Sequence, residues 1–191
     1  MRFAVDVDRT IYDTESCVRA MIKDACAMSS SYEERLKALS DLYTTEPKWF
    51  DPAYLIPEAV SALRQLSREH EIYICTMRDS DRINYTSLIE ALDIPVDGIW
   101  QAKDYANKAE ACFFNEIDYL IDDGASHLEG HYWLCDNRPD TYKTKFILYG
   151  GFAVTDFIFK PRYFSLQHAD RVALMSSWNE LPDIIRVLSR K

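Results

Sequence analysis

The sequence predicts an α/β fold: a three-layer, Rossmann-like parallel sheet, with a small helical cap inserted after the first strand and a late β-hairpin. Three observations lead there. Apolar runs of strand length recur between stretches of helical periodicity, the pattern of strand–helix–strand units with right-handed crossovers. Three of these runs end in groups able to do chemistry, Asp6-Val7-Asp8-Arg9-Thr10, Thr76-Met77-Arg78 and Asp122-Asp123-Gly124, and open α/β sheets carry their sites at the carboxyl ends of strands. The interval from Thr10 to Pro57 holds helical patterns and no good strand, so it reads as a unit standing above the sheet.

The elements follow in order. Residues 2–7 form the first strand and residues 14–28 a helix, with Glu15 in its first turn and Val18, Met21, Ile22 and Ala25 at helical spacing. Ser30 or Ser31 caps a second helix, Ser31 having Glu34 at the spacing of a capping box, and the helix's apolar side is Leu36, Leu39, Leu42 and Tyr43. An aromatic, proline-containing stretch carries Trp49, Phe50 and Tyr54 into a helix over 57–69, which begins with proline where a missing N–H costs little. Glu71–Cys75 is the second clear strand. A polar helix over 81–92, a short strand over 96–100, a helix over 105–114 and a strand over 118–121 complete the repeating part. Lys145–Tyr149 and Phe152–Phe159, parted by Gly150-Gly151, read as a projecting hairpin. Residues 172–175 return to the core, and 178–188 close the chain as a helix. The core domain is thus 1–13 with 57–191, and the cap is 14–56.

A chain of 191 residues, 48% hydrophobic, suits one well-buried core with a small appended unit. Its formal charge of -9 argues against a long nucleic-acid partner but not against a mononucleotide or another small phosphate ester. No run approaches the ~18 apolar residues of a membrane helix. Met1-Arg2 leads straight into a short strand rather than a signal peptide, and a cytoplasmic location is expected. The five cysteines, Cys17, Cys26, Cys75, Cys112 and Cys135, form no CxxC pair and read as free thiols. His127 and His131 lack the His-Glu-x-x-His frame of a zinc site.

Asp6 and Asp8 are two apart on an extended segment, so both face one spot. Packing does not ask for two like charges there, whereas a cation and a phosphoryl group do. Asp6 is placed to attack phosphorus and Asp8 to protonate the leaving oxygen and then activate water. Backbone N–H groups in the turn after Asp8 are candidates to hold phosphate oxygens. Thr10 reads as a turn-stabilising hydroxyl. The Thr76 hydroxyl is a candidate phosphate donor, with Arg78 a further cation for an anion. Asp122 is placed to ligate a divalent cation, and Asp123 either to ligate it too or to orient its ligands. Lys108, near the start of the helix feeding the Asp122 strand, is the favoured partner for Asp6 and phosphate, with Lys103 its rival.

This set resembles the haloacid dehalogenase-like phosphatases, through Asp6-Val7-Asp8-Arg9-Thr10, Thr76, Lys108 and Asp122-Asp123, over residues 2–135 and again near Ser177-Trp178. The resemblance implies Asp6 as nucleophile and Asp8 as acid/base. It also implies Mg²⁺ held by Asp6, the Asp8 carbonyl and Asp122, with Thr76 and Lys108 positioning phosphate. Within that superfamily the chain is similar to the 5'(3')-deoxyribonucleotidase group, the cytosolic type C 5'-nucleotidases. The likeness lies in the helical insert after the first motif, Thr76-Met77-Arg78, Leu120-Ile121-Asp122-Asp123 and Ser177-Trp178-Asn179-Glu180-Leu181. It implies a small phosphorylated metabolite, a nucleoside monophosphate, as substrate. Trp49, Phe50 and Tyr54 of the cap are candidates to stack on a base or shield a small pocket, and the late aromatic and basic stretch is a candidate to cover the site or form the subunit contact of a homo-oligomer. Sugar phosphates, and a catalytically degenerate interaction protein, are the competing expectations.

Two departures from the pattern stand out. Glycine commonly follows the second aspartate, but this chain has Arg9, which is strained if the position needs positive φ and otherwise free to reach the cap or a phosphate. The other is the long aromatic and basic stretch after the Asp-Asp strand, with Arg138, Lys143, Lys145, Lys160 and Arg162.

Overall fold

Short, mostly buried strands pair edge to edge with every neighbour parallel. In the computed structural model, which describes residues 1–28, 31–35, 37, 51–77, 85–102, 107–150 and 166–190, they are β1 Arg2–Val5, β2 Glu71–Thr76, β3 Gly98–Gln101, β4 Tyr119–Asp122, β5 Lys145–Tyr149 and β6 Val172–Met175. The sheet order is β3-β2-β1-β4-β5-β6. The helices are α1 Thr14–Met28, α2 Pro57–Leu66, α3 Thr86–Leu92, α4 Lys108–Phe114, α5 His127–Asn137 and α6 Leu181–Ser189. None among the described residues is long and apolar enough to cross a membrane.

Side-chain alternation divides the core between the two faces of the sheet. Phe3, Val5, Ile72, Ile74, Ile121 and Ile147 pack with Leu63 of α2, Leu88 and Leu92 of α3, and Leu181 and Leu188 of α6. Ala4, Cys75, Leu120, Phe146 and Leu148 pack on the other side with Ala111 and Cys112 of α4 and Leu128 of α5. This is the three-layer sandwich the sequence predicts. The strand order reverses between β1 and β4, which opens a crevice at their carboxyl ends.

One strand departs from the sequence reading. Lys145–Tyr149 is not the first arm of a projecting hairpin but an interior strand, parallel to β4 and β6. Phe146, Ile147 and Leu148 are all fully buried. Consecutive buried residues mark a strand covered on both faces, whereas a hairpin arm would alternate. The proposed second arm, 152–159, lies outside the described residues, as do Lys160 and Arg162. The sequence reading also assigned no helix over α5, whose mixed polar and aromatic composition hides its periodicity.

The insert joins the core through two adjacent chain crossings. The Asp13 N–H donates to the Tyr54 carbonyl and the Ile56 N–H to the Ile11 carbonyl, each at 2.8 Å, and Tyr12 forms an antiparallel bridge with Leu55. α1 buries Cys17 and Met21 against the core. The capping box is present: the Glu34 N–H donates to Ser31 Oγ and the Ser31 N–H to Glu34 Oε2, both at 3.2 Å, ahead of helical residues 32–35. Trp49 and Phe50 lie outside the described residues. Tyr54 is half-buried, its ring edge-on to Tyr12 at 6.1 Å, a contact of insert with core.

Candidate active site

β1 ends at Val5, but the chain stays extended one step further, and the Asp6 N–H donates to the Ile121 carbonyl at 2.9 Å. Asp6 therefore continues the row begun by Ala4, and Asp122 the row begun by Leu120. Both rows face α4 and α5. The acids open toward the start of α4, whose first residue is Lys108. Lys108 Nζ donates to Asp6 Oδ1 and to Asp122 Oδ2, each at 2.6 Å, and all three side chains are buried.

Asn107 fixes where α4 begins. Its side-chain oxygen accepts from the Glu110 N–H at 3.0 Å, satisfying a helix-end donor. Gly130 of α5 permits this: a Cβ there would lie 2.6 Å from Asn107 Cγ and Oδ1. Asp122 is oriented in turn by the Gly124 N–H, which donates to its Oδ1 at 2.7 Å. His127, at the start of α5, lies over Gly124, where a Cβ would meet His127 Cδ2 at 2.6 Å. Burial holds the His127 imidazole below its usual pKa.

One buried ammonium serves several carboxylates, and their proton affinities show it. Burial pushes Asp6 well above the usual carboxylate range; Lys108 opposes the rise, and Asp122 and Asp8 add to it. Burial also works against the charge on Lys108, but Asp122 and Asp6 outweigh it and hold the ammonium above the usual lysine range. Asp123 is pushed up to about 6, by burial first and then by Asp122, against the pull of Arg9.

The loop after β1 is built inward. The Val7 carbonyl accepts from the N–H groups of Thr10, Ile11 and Tyr12 at 3.3, 3.0 and 3.0 Å, and the Arg9 N–H donates to the Tyr12 carbonyl at 2.8 Å. The expectation that this turn's N–H groups hold phosphate oxygens is thereby corrected for residues 9–12, whose donors are spent within the loop. Thr10 is buried, and its hydroxyl lies 3.4 Å from the Asp8 carbonyl and 3.5 Å from Asp6 Oδ2, in the turn-stabilising role read from sequence. The Trp178 indole donates to the Thr10 carbonyl at 3.0 Å. The Asp8 carboxylate is half-buried and accepts from the Thr14 hydroxyl at 2.5 Å. Arg9 has φ 59°, so the position does require left-handed backbone. An arginine there costs about 1 kcal/mol that a glycine would not. Its guanidinium is exposed, with Nη1 3.9 Å from Asp123 Oδ2.

Asp6, Asp122 and Asp123 each present an oxygen within 4.8 Å of the others. Three hard carboxylate oxygens in a polar recess suit Mg²⁺. The Asp8 carboxylate stands outside that trio, held by Thr14. Thr76 is buried at the end of β2, on the strand next to β1. Arg78 and the rival Lys103 lie outside the described residues. Sequence reasoning passed over Thr14 and Asn107. Asn107 carried a signal, an Asn-x-x-Glu spacing at the head of a helical run; Thr14 had none beyond its place as the first residue of α1.

Solved structures resemble this fold over nearly the whole chain. A haloacid dehalogenase-like family hydrolase from Streptococcus pneumoniae matches with TM-score 0.63 at 14% identity, over 96% of this chain and 97% of that chain. The chain has the haloacid dehalogenase-like fold. A second protein of this fold, the hydrolase YfnB from Bacillus subtilis, solved with magnesium bound, matches with TM-score 0.54 at 16% identity, over 96% of this chain and 97% of that chain. CbbY from Rhodobacter sphaeroides, solved in complex with xylulose-1,5-bisphosphate, matches with TM-score 0.54 at 16% identity, over 94% and 95% of the two chains. No protein-family model matches the sequence, and no curated protein does. The likeness in fold, at 14–16% identity for these three, agrees with the resemblance carried by the short motifs of the sequence.

Proposed function

We propose that this chain is a Mg²⁺-dependent phosphomonoesterase that works through an aspartyl-phosphate, with a nucleoside monophosphate as its substrate in the cytoplasm. One observation carries the reading: Lys108 binds Asp6 and Asp122 together, at 2.6 Å each, at the switch point of the sheet. Asp6, Asp122 and Asp123 would hold Mg²⁺, which would neutralise charge between nucleophile and phosphoryl group when bound. Asp6 attacks phosphorus, and the bond to the ester oxygen breaks with its electron pair on that oxygen. Asp8 delivers the proton that makes it an alcohol. Asp8 then takes a proton from water as the water oxygen attacks the phosphoryl group. Inorganic phosphate leaves, and Asp6 is restored. Thr14, bonded to Asp8, holds the acid/base apart from the carboxylate trio. Thr76 and Lys108 are the proposed phosphate-positioning pair, with Tyr54 the proposed neighbour of the leaving group.

A sugar phosphate is the second reading, supported by the neighbour solved with a sugar bisphosphate. The test is phosphate release from a panel of nucleoside monophosphates and sugar phosphates, with Mg²⁺ and with chelator, by the wild type and Asp6→Asn. Mg²⁺-dependent release that Asp6→Asn abolishes supports the mechanism, and the preferred ester names the substrate class. Wild-type release by Asp6→Asn, or halide release from a 2-haloacid with no phosphatase activity, overturns it.

A further inference from the structure

Arg9 is an exposed cation beside Asp123, at the edge of this site. It follows the acid/base Asp8 directly, at a backbone position where φ is 59°. Its side chain is 65% exposed, and its contact with Asp123 is 3.9 Å, too long for a hydrogen bond. A contact of that length in water is weak. The loop beneath it is fixed by the hydrogen bonds converging on Val7, so the guanidinium is presented from a rigid base. Lys108, by contrast, is buried and committed to Asp6 and Asp122. The two cations thus lie at different depths. Lys108 is bonded to the proposed nucleophile, whereas Arg9 stands at the surface beside Asp123, next in the chain to the proposed acid/base Asp8.

We propose that Arg9 recognises a second anionic group, a phosphate or a carboxylate, on the leaving portion of the substrate. The proposal rests on the phosphomonoesterase reading and narrows it to esters that carry another negative charge. A planar guanidinium has two donor edges. One can stay toward Asp123 while the other forms a paired contact with two anionic oxygens. Asp6, Asp8, Asp122 and Asp123 repel such a leaving group, and a cation at Arg9 offsets that repulsion. A left-handed position that glycine fills without strain is here occupied by the longest cationic side chain.

The experiment compares paired esters in the full chain: deoxyadenosine 5'-monophosphate with deoxyadenosine 3',5'-bisphosphate, and glycerol 3-phosphate with 3-phosphoglycerate. The first pair adds a phosphate and the second a carboxylate, so the two arms separate the sources of the charge. In the wild type, KM for the doubly anionic member of at least one pair falls about tenfold below that of its partner, the scale of one charge-assisted contact. In Arg9→Gly that KM ratio collapses toward one, while Arg9→Lys keeps part of it. Calorimetry of the same ligands with Asp6→Asn, alone and combined with Arg9→Gly, reads the preference as binding without turnover. A higher melting temperature for Arg9→Gly shows that the variant is folded and relieved of the left-handed strain. Equal KM and affinity ratios in wild type and Arg9→Gly overturn the assignment and leave the phosphatase reading standing. Absence of phosphate release from every ester overturns both.

Discussion

The indole of Trp178 donates to the carbonyl of Thr10, a residue 168 positions earlier, at 3.0 Å. Through that bond the start of the last helical segment holds the loop that carries Asp6 and Asp8. Trp178 is 1% exposed, and Ser177 before it caps the segment, accepting from the Asn179 N–H at 3.3 Å. Trp178→Phe keeps most of the buried apolar volume and leaves the Thr10 carbonyl without its donor. The expected cost is about 1–3 kcal/mol, that of a buried acceptor left unsatisfied. Phosphate release falls with it, because Asp6 and Asp8 lose the loop's fixed shape. Denaturant unfolding beside steady-state kinetics checks both, and a stable variant with wild-type turnover would show that the bond holds nothing the chemistry needs.

Lys108→Met removes the counter-charge shared by Asp6 and Asp122 while nearly conserving volume. Breaking a buried ion pair from one side costs on the order of 3–5 kcal/mol. Asp6, already pushed up by burial, loses the cation that opposed the rise, so it binds a proton more readily and the loss should shrink as pH falls from 8 toward 5. Urea unfolding at several pH values measures it, and a loss independent of pH would mean that Lys108 does not hold the Asp6 carboxylate charged.

His131 offers a separate test. It is buried on α5, with Nδ1 2.9 Å from the Tyr142 hydroxyl, and burial pushes its pKa down to about 3, helped by Arg171 and His168. In the unfolded chain a histidine titrates near 6.5. Below that value the unfolded state takes up a proton that the folded state refuses. The stability contributed by the neutral imidazole is therefore present above about pH 6.5 and lost as pH falls toward 3, amounting to ~2 kcal/mol by pH 5. His131→Gln lacks this titration. The gap between wild type and variant should narrow between pH 7 and pH 5, whereas two parallel stability curves would refute the assignment.

Gly130→Ala places a methyl group 2.6 Å from Asn107 Cγ. Asn107 must swing away and release the Glu110 N–H that it caps. Loss of a cap costs typically ~1 kcal/mol, and Lys108 is the next residue along. Turnover should drop, and the double variant with Asn107→Ala should recover part of the loss, because the clash has gone. A double-mutant cycle on stability measures the coupling, and simple additivity would show that the two residues do not share the space.

Most of the sheet was legible because its strands are apolar and short and end in chemistry. Asp6, Asp122 and Lys108 meet as their strand ends and helix start demanded. What escaped was set by partners distant in the chain. β5 looked like a hairpin arm because Gly150-Gly151 follows it, and Gly150 does take φ 93°; burial on both faces, which is a tertiary property, decided otherwise. α5 was hidden because His131, Tyr132 and Trp133 break an amphipathic pattern that packing does not require. The commitment of the N–H groups of residues 9–12 to their own loop follows from backbone geometry that residue types do not announce. Arg9 was readable as a departure, but only the backbone angle shows that it sits where glycine would be at ease.

The contact between Gly130 and Asn107 has a bearing on how the molecule breathes. The capping residue of α4 is seated in a notch on α5, so neither helix can fray at that point while the other stays in place. The pair should open as one cooperative unit, and the amides of 110–114 and 131–135 should then exchange their hydrogens on a common timescale, tying the lysine of the site to the slowest-opening part of its own layer.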